Sequence, residues 1–353
     1  METIKVAQWG FGAMGQGMAK MLLGKRGVEI VGICDAHPAR VGRGMREVLG
    51  VNSAQADVLI RRNIDEVVAE RGCDICIIAT DSFVKHVADK VIAICEKGVN
   101  VITIAEEMSW PRAQNAELAD KMDAAARRNG VSVLGTGINP GLVMDLLAVL
   151  LSACMTDVQS VQCRRVNSLS PFGVTVMEEQ GIGMEVDEFD RRVTDGSLAG
   201  HVGFAESIGM IDAALGLDVD AVETQMEAIV TEVNRKSPHG FAAAGQVAGV
   251  NMTGQGLRGG QVVIDMIHPQ QIEPHLGGTH TGDYIVLSGS PGVDMAIRPE
   301  IEGGLGTIAM CVNCIPHVIN AEPGLKTMLD IPVPHAIMGD FRDFVREGKR
   351  IVQ

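Results

Sequence analysis

The chain has 353 residues, of which 46% are hydrophobic and 21% charged, which excludes an intrinsically disordered protein and is enough for two domains. Thirty Lys and Arg residues against 44 Asp and Glu give a formal net charge of −14, which argues against nucleic acid and an anionic membrane surface as partners. No apolar run approaches the roughly 18 residues that span a bilayer, and no signal-like segment opens the sequence, so we expect a cytoplasmic protein.

The first 135 residues alternate strand and helix patterns. Apolar runs predict strands at 4–9, 28–34, 74–80, 99–104 and 131–134. Helical spacing between them predicts helices at 14–22, 63–70, 83–96 and 112–130, most of which end at a glycine. Repeated strand–helix–strand units with near-continuous apolar strands predict an α/β domain over 1–139, with a doubly wound parallel sheet of Rossmann type.

The pattern changes after Gly141. Helices are predicted to about 154 and at 186–193 and 204–215, with strands at 158–166, 227–233, 261–267, 284–288 and 293–297. Gly-rich turns between these strands indicate a second, α+β domain over 140–302 with a mixed or antiparallel sheet. Residues 303–320 return to a helical pattern, and the segment of about 303–353 is predicted to pack back on the first domain.

A glycine-rich string follows the first predicted strand and opens the first predicted helix. In a strand–turn–helix unit, such glycines give a tight turn, close approach to a pyrophosphate and close packing of helix and strand, while the helix amino terminus attracts phosphate. We assign this string to a dinucleotide-binding loop: Gly10, Phe11, Gly12, Ala13, Met14 and Gly15.

An acidic residue marks the end of the second predicted strand. Asp35 lies twenty residues after Gly15, where a carboxylate accepts hydrogen bonds from a ribose diol. This favours NAD, because the carboxylate would repel a 2′-phosphate. Arg40, with Arg43 beyond it, could neutralise that phosphate, so use of NADP stays possible.

Polar residues also follow later strands of the first domain. Thr80 and Asp81 end one strand and are expected to line the cofactor crevice, although Asp81 or Ser82 could instead cap the next helix. Asn139 lies in the turn 135–141, between the predicted domains, and we assign it to the cofactor site.

Two adjacent carboxylates, Glu106 and Glu107, end the strand that should lie beside the nicotinamide. A carboxylate there can take a proton from a substrate ammonium and stabilise the cationic imine that hydride loss forms. The alternative is that both acids cap a helix at Pro111, where the helix dipole favours negative charge.

The cysteines carry no metal signal. The eight cysteines are too few for a disulfide scaffold in so long a chain. The pair Cys73 and Cys76 falls in a strand, and the pair Cys311 and Cys314 has no second ligand pair nearby. We therefore predict no metal site.

The assembled motifs resemble those of the 2,4-diaminopentanoate dehydrogenases and related native amine dehydrogenases, which share the fold of dihydrodipicolinate reductase. The resemblance covers nearly the whole chain and rests on four segments: Trp9 to Gly15, Ala105 to Ser109 with Pro111, Gly135 to Gly141, and Gly306–Thr307 with Asn313 and Pro316.

The resemblance implies oxidative deamination of a primary amine with NAD or NADP and release of ammonia, with 2,4-diaminopentanoate converted reversibly to 2-amino-4-oxopentanoate, and a homodimer. It also implies a catalytic glutamate at Glu106 or Glu107. Sugar dehydrogenases carry Glu-Lys at the corresponding strand end with the lysine catalytic, which favours Glu107. The resemblance to the amine dehydrogenases further implies three substrate-pocket residues: Asn167, His201 and Thr307.

Three other functions compete with this one. A homoserine- or 2-hydroxy-acid-type dehydrogenase would need a lysine or histidine base, and no lysine follows the relevant strand. A dihydrodipicolinate reductase-like enzyme would need a His-His pair, which the sequence lacks. A nucleotide-sensing module would need no carboxylate beside the nicotinamide.

Overall fold

The computed structural model describes residues 2–348, without the side chains of 69–71. The described residues form two compact units, one within the bounds Met1–Gly137 and Gly304–Gln353 and the other Ile138–Gly303. Residues 349–353 of the predicted carboxy-terminal segment lie outside the described part. No helix among the described residues is long and apolar enough to cross a membrane.

The first unit contains a seven-stranded sheet in which every pairing is parallel. Its strands are β1 (Ile4–Trp9), β2 (Val28–Cys34), β3 (Ile60–Arg61), β4 (Ile75–Ile78), β5 (Asn100–Thr103), β6 (Ser132–Gly135) and β15 (Gly324–Lys326). Their order across the sheet is β15-β6-β5-β4-β1-β2-β3. The strands β4, β5 and β6 are buried at every residue, as the continuous apolar runs predict.

The helices of this unit connect successive strands. They are α1 (Ala13–Leu23), α2 (Met45–Leu49), α3 (Ile64–Arg71), α4 (Val84–Cys95), α5 (Ala116–Arg128) and α10 (Gly303–Asn320). The first residue of α10, Gly303, belongs to the second unit. The Asn63 side chain caps α3 by accepting from the Asp65 amide at 3.0 Å.

One predicted helix is shorter than its pattern. The chain forms 3₁₀ turns at Glu106–Ser109 and Pro111–Ala113, and the helix predicted from Arg112 starts as α5 only after Asn115. The Asn115 amide donates to Pro111 O and closes the second turn, so the regular α-helical hydrogen bonds begin one turn later than predicted.

The second unit contains a mixed six-stranded sheet of order β14-β13-β7-β12-β11-β8, in which β7 and β12 are parallel and the other neighbours antiparallel. Its strands are β7 (Asp157–Ser168), β8 (Ala221–Val230), β11 (Val247–Arg258), β12 (Gln261–Gln271), β13 (Gly282–Ser290) and β14 (Val293–Ile297), with a separate pair β9 (Arg235–Lys236) and β10 (Phe241–Ala242). Its helices are α6 (Leu146–Ser152), α7 (Val174–Glu179), α8 (Val186–Thr194) and α9 (Phe204–Leu215).

The core of this unit lies on one side of its sheet. Alternate residues of β7 and β12, such as Val161 and Ile264, are buried with residues of α8 and α9, such as Phe189 and Ile208. The predicted fold class is therefore confirmed: a Rossmann-type parallel sheet and an α+β part with a mixed sheet.

Candidate active site

The loop between β1 and α1 needs glycine at two positions for structural reasons. Gly10 has a φ of +102°, and a Cβ there would overlap Ala79 O at the end of β4. A Cβ at Gly15 would overlap Gly10 O and the Gln8 side chain, whose Nε2 donates to Gly10 O at 2.9 Å. These two glycines let α1 start directly against the sheet.

Gly12 differs, because a Cβ there would meet nothing within 4 Å. It is the amino-terminal cap residue of the 11-residue helix α1, with a φ of −71° that any residue adopts. The protein itself gives no reason for a glycine here, whereas a pyrophosphate on the helix amino terminus would occupy the open space. The loop therefore fits a dinucleotide. Phe11 is fully buried, so only its backbone can contact one.

Asp35 at the end of β2 ties this loop to the second strand. Its Oδ2 accepts from the Phe11 amide at 2.6 Å, and its Oδ1 accepts from the His37 amide at 2.7 Å and Arg40 Nε at 3.1 Å. The sequence-predicted residues of loop and strand thus meet at the carboxyl ends of β1 and β2. Arg40, which the sequence assigned to a 2′-phosphate, is hydrogen-bonded here to the Asp35 carboxylate.

The end of β4 binds its own neighbours. Thr80 Oγ1 accepts from Lys90 Nζ at 2.8 Å, and Asp81 Oδ1 lies 3.0 Å from the Phe83 amide and 2.9 Å from His86 Nδ1. Burial raises the pKa of Asp81, but these hydrogen bonds outweigh it and hold that pKa below its usual value. Asp81 thus serves the start of α4, the alternative that the sequence left open.

Glu107 also serves the start of α4. Its Oε2 accepts from the Val84 amide at 2.7 Å and from Asn115 Nδ2 at 3.2 Å, while its own amide donates to Ser82 O at 3.1 Å. The carboxylate therefore caps α4, and not the turn at Pro111 that the sequence suggested. These contacts give Glu107 a structural role, and the catalytic role of Glu106 or Glu107 stays a prediction.

In the second unit, Asn139 and His201 are hydrogen-bonded. Asn139 Nδ2 lies 3.2 Å from His201 Nε2, so this nitrogen accepts and the proton of the neutral ring is on Nδ1. Burial, with a smaller effect of Arg165, lowers the pKa of His201 to about 3. Asn139 thus orients a neutral imidazole, and its assignment to the cofactor site stays a prediction.

Asp145 holds the turn that carries Asn139. It is fully buried, and its carboxylate accepts from the Gly141 amide at 2.7 Å, the Leu146 amide at 2.6 Å and Ser207 Oγ at 2.9 Å. Burial raises its pKa, although these hydrogen bonds act in the other direction. The carboxylate links this turn to α6 and α9.

A second histidine adjoins His201, and the sequence analysis missed it. The rings of His201 and His268 are 4.7 Å apart and nearly perpendicular. His268 Nδ1 donates to Arg165 O at 2.9 Å, and burial lowers its pKa well below its usual value. Only the alternating burial pattern of β12 could have indicated an inward-facing His268, and that pattern does not reveal a pairing across elements.

The remaining predicted residues fall in different places. Asn167 lies on β7 in the second unit, 5% exposed, and its Oδ1 is buried without a hydrogen-bond partner in the described part of the protein. Thr307 lies in the first turn of α10, which belongs to the first unit, where Ile308 meets Gly17 of α1. The structure thus brings together Asn139, Asn167 and His201 in one unit and places Thr307 in the other.

Comparisons with known proteins match both units. Residues 142–347 match the family model described as the 2,4-diaminopentanoate dehydrogenase C-terminal domain, and residues 4–136 match the oxidoreductase family with an NAD-binding Rossmann fold. The 2,4-diaminopentanoate dehydrogenase of Acetoanaerobium sticklandii is 54% identical over 354 residues, covering 100% of both chains.

Two amine dehydrogenases are more distant. That of Streptomyces virginiae is 25% identical over 95% of this chain and 98% of its own. The structure of the amine dehydrogenase of Mycobacterium smegmatis has a TM-score of 0.85 at 25% identity, covering 95% of this chain and 98% of that one. The resemblance drawn from the motifs is confirmed, as is use of NAD or NADP for amine oxidation. The chain belongs to the 2,4-diaminopentanoate dehydrogenase family of NAD(P)-dependent oxidoreductases.

Proposed function

We propose that this enzyme oxidises the C4 amine of 2,4-diaminopentanoate to a ketone, giving 2-amino-4-oxopentanoate and ammonia. The observation that carries the proposal is the 54% identity, over both whole chains, to a protein named for that substrate. The reaction is reversible, so the same site would aminate the keto acid.

The first unit would bind the dinucleotide and the second the amine. The open space at Gly12 and the amino terminus of α1 would take the pyrophosphate, and Asp35 the adenosine ribose. NAD is preferred because the Asp35 carboxylate repels a 2′-phosphate. Arg40, at 3.1 Å from that carboxylate, leaves NADP as a weaker alternative.

Glu106 would accept the proton that the substrate ammonium must lose. Bound nicotinamide supplies a hydride acceptor for the carbon that carries the amine. A free lone pair on nitrogen is needed for hydride to leave that carbon, so a carboxylate that takes the ammonium proton makes the substrate reactive and then favours the cationic imine. Water then adds to the imine carbon, and ammonia leaves to give the ketone. Glu107 would keep α4 and the turn after β5 in place, through its hydrogen bonds to Val84 and Asn115.

The test combines purified enzyme, NAD and one candidate substrate, with the absorbance of reduced cofactor and the released ammonia as readouts. We expect both signals with 2,4-diaminopentanoate, in equal amounts. Reduction with homoserine or a 2-hydroxy acid but with no amine would overturn the proposal in favour of an alcohol dehydrogenase. Reduction with other amines only would retain the reaction and overturn the substrate.

We also propose a homodimer that works in the cytoplasm. The dimer follows from the family resemblance, and light scattering on the purified enzyme tests it, with a monomer mass as the contrary result. The location is supported by the free state of all eight cysteines in the structure. Cell fractionation followed by immunodetection tests the location.

A further inference from the structure

Two side-chain amides on the sheet of the second unit are buried without partners. Asn167 and Gln270 are each 5% exposed. Asn167 Oδ1 and Gln270 Nε2 have no hydrogen-bond partner among the described residues. Buried polar atoms are nearly always paired, and an unpaired one destabilises the fold, so an acceptor and a donor left open side by side suggest a bound molecule.

The two amides are neighbours by strand register. Gln270 pairs with Asn167 across the parallel strands β12 and β7, and residues paired in this way point to the same face of a sheet. Two residues earlier on each strand, on the same face, lie Arg165 of β7 and His268 of β12. His268 Nδ1 donates a hydrogen bond to the backbone oxygen of Arg165. The amide pair therefore adjoins the histidine pair of His268 and His201.

The charged and titratable groups that adjoin the amides on the same face of β7 and β12, Arg165 and His268, add little net charge there. Arg165 is 2% exposed and donates to Asp283 Oδ1 at 2.5 Å and to Ile301 O at 2.6 Å, so its charge is already neutralised. Both histidines are neutral near pH 7, since burial lowers their pKa values. A ligand bearing a single charge would lack a counter-ion here, whereas a zwitterion brings both charges and needs only acceptors and donors.

We propose that Asn167 and Gln270 bind the α-amino-acid end of the substrate. Asn167 Oδ1 accepts from the α-ammonium, and Gln270 Nε2 donates to the carboxylate. Gln270 is thereby a specificity-determining residue, selecting amines that also carry an amino-acid group. This inference rests on the proposed function, because it takes the molecule bound here to be the amine that the enzyme oxidises.

The direct test is calorimetric binding of 2-aminopentanoate, which has the amino-acid end and no second amine, with NADH present so that nothing is oxidised. Gln270→Leu and Asn167→Leu should each raise the dissociation constant roughly 10- to 100-fold, the scale of a hydrogen bond to a charged group. Gln159→Leu is the matched control. Gln159 is exposed near the opposite end of β7, where its side chain donates to Asp157 Oδ2, and its loss should leave binding unchanged.

Gln270→Glu is a second variant that keeps the shape of the side chain and protects the test against a misfolded leucine variant. Its carboxylate faces that of the ligand, so it should weaken binding more than Gln270→Leu. Binding that is unchanged in all three variants, or undetectable in the wild type, would overturn the inference.

Kinetics separate this inference from the proposed function. In Gln270→Leu, kcat/KM for 2,4-diaminopentanoate should fall roughly 10- to 100-fold, while that for pentan-2-amine stays within about threefold. Equal losses on both substrates would remove the specificity role and leave the amine reaction intact. If no amine reduces NAD and the binding results hold, the amino-acid site stands and the proposed reaction falls.

Discussion

At the scale of single residues, the informative result is which carboxylates already have a structural partner. Asp81 and Glu107 both hold the start of α4, through the Phe83 and Val84 amides. Asp35 holds the glycine-rich loop through the Phe11 amide. An acid at a strand end can thus serve the fold and a ligand together, and substitutions that preserve shape are needed to separate the two.

The first prediction separates the two glutamates. Glu106→Gln removes charge and basicity but keeps shape, so turnover with amine should fall roughly 10²- to 10⁴-fold while NAD affinity hardly changes. Glu107→Gln keeps an oxygen acceptor for Val84, so turnover should stay near normal and the free energy of unfolding should drop by about 0.5–1 kcal/mol.

Steady-state kinetics, cofactor titration and urea unfolding of both variants provide the measurements. A large loss of turnover in Glu107→Gln with normal stability, and normal turnover in Glu106→Gln, would reverse the assignment. Normal turnover in both variants would contradict catalysis by either carboxylate.

The second prediction concerns cofactor choice. Asp35→Ser removes the charge that repels a 2′-phosphate and releases Arg40 to bind it, so the ratio of kcat/KM for NADP to that for NAD should rise about tenfold, or ~1.4 kcal/mol. The double change Asp35→Ser with Arg40→Gln should lose most of that gain. An unchanged ratio in the single variant would mean that Asp35 does not face the ribose.

Among the elements, the β1–α1 connection contains two glycines that the fold requires and a third whose open space fits a ligand. Gly10 and Gly15 allow the helix to start against β4 and β1, since a Cβ at either would meet backbone. Gly12 between them faces open space. Sequence spacing alone predicts the same role for all three glycines, and only their packing in the structure distinguishes them.

The third prediction uses that difference. Gly12→Val should leave the free energy of unfolding nearly unchanged but abolish tight NAD binding, because the side chain enters the space for the pyrophosphate. Gly15→Ala should instead destabilise the protein by about 1–3 kcal/mol, the usual cost of overpacking. Urea unfolding and fluorescence titration with NADH measure the two effects. Tight NADH binding by a folded Gly12→Val protein would contradict the assignment of this loop.

Both units of the molecule bury ionisable groups, and the second unit holds two histidines kept neutral by burial. In the first unit, carboxylates at strand ends accept hydrogen bonds from backbone amides. In the second, buried histidines are kept neutral and the buried Arg165 is paired with Asp283. The stability of the second unit should therefore respond to mild acid.

The fourth prediction follows from the His201 pKa of about 3 in the folded protein, against 6.5 as its usual value. The unfolded chain binds a proton below about pH 6.5 and the folded one does not, so stability is complete above that pH and is lost as pH falls towards 3. One such histidine should lower the free energy of unfolding by about 1–2 kcal/mol between pH 7 and pH 5.

Urea unfolding at the two pH values measures this loss. His201→Gln should reduce the loss by about that amount, whereas a change at the exposed His239, His239→Gln, should leave it as in the wild type. Equal pH dependence in wild type and His201→Gln would contradict the prediction.

Sequence patterns were sufficient to predict the parallel sheet, the mixed second sheet, the glycine-rich loop followed by Asp35, and the family. These depend on local signals: apolar runs of strand length, glycines at fixed spacing, and an acid at a strand end, each read within a few residues. Tertiary structure alone decided that Glu107 caps α4, that Asn139 orients His201, and that His268 and Gln270 join them. Such pairings connect residues on different elements, and the hydrogen bond that satisfies a buried group depends on which elements pack together, which no local pattern encodes.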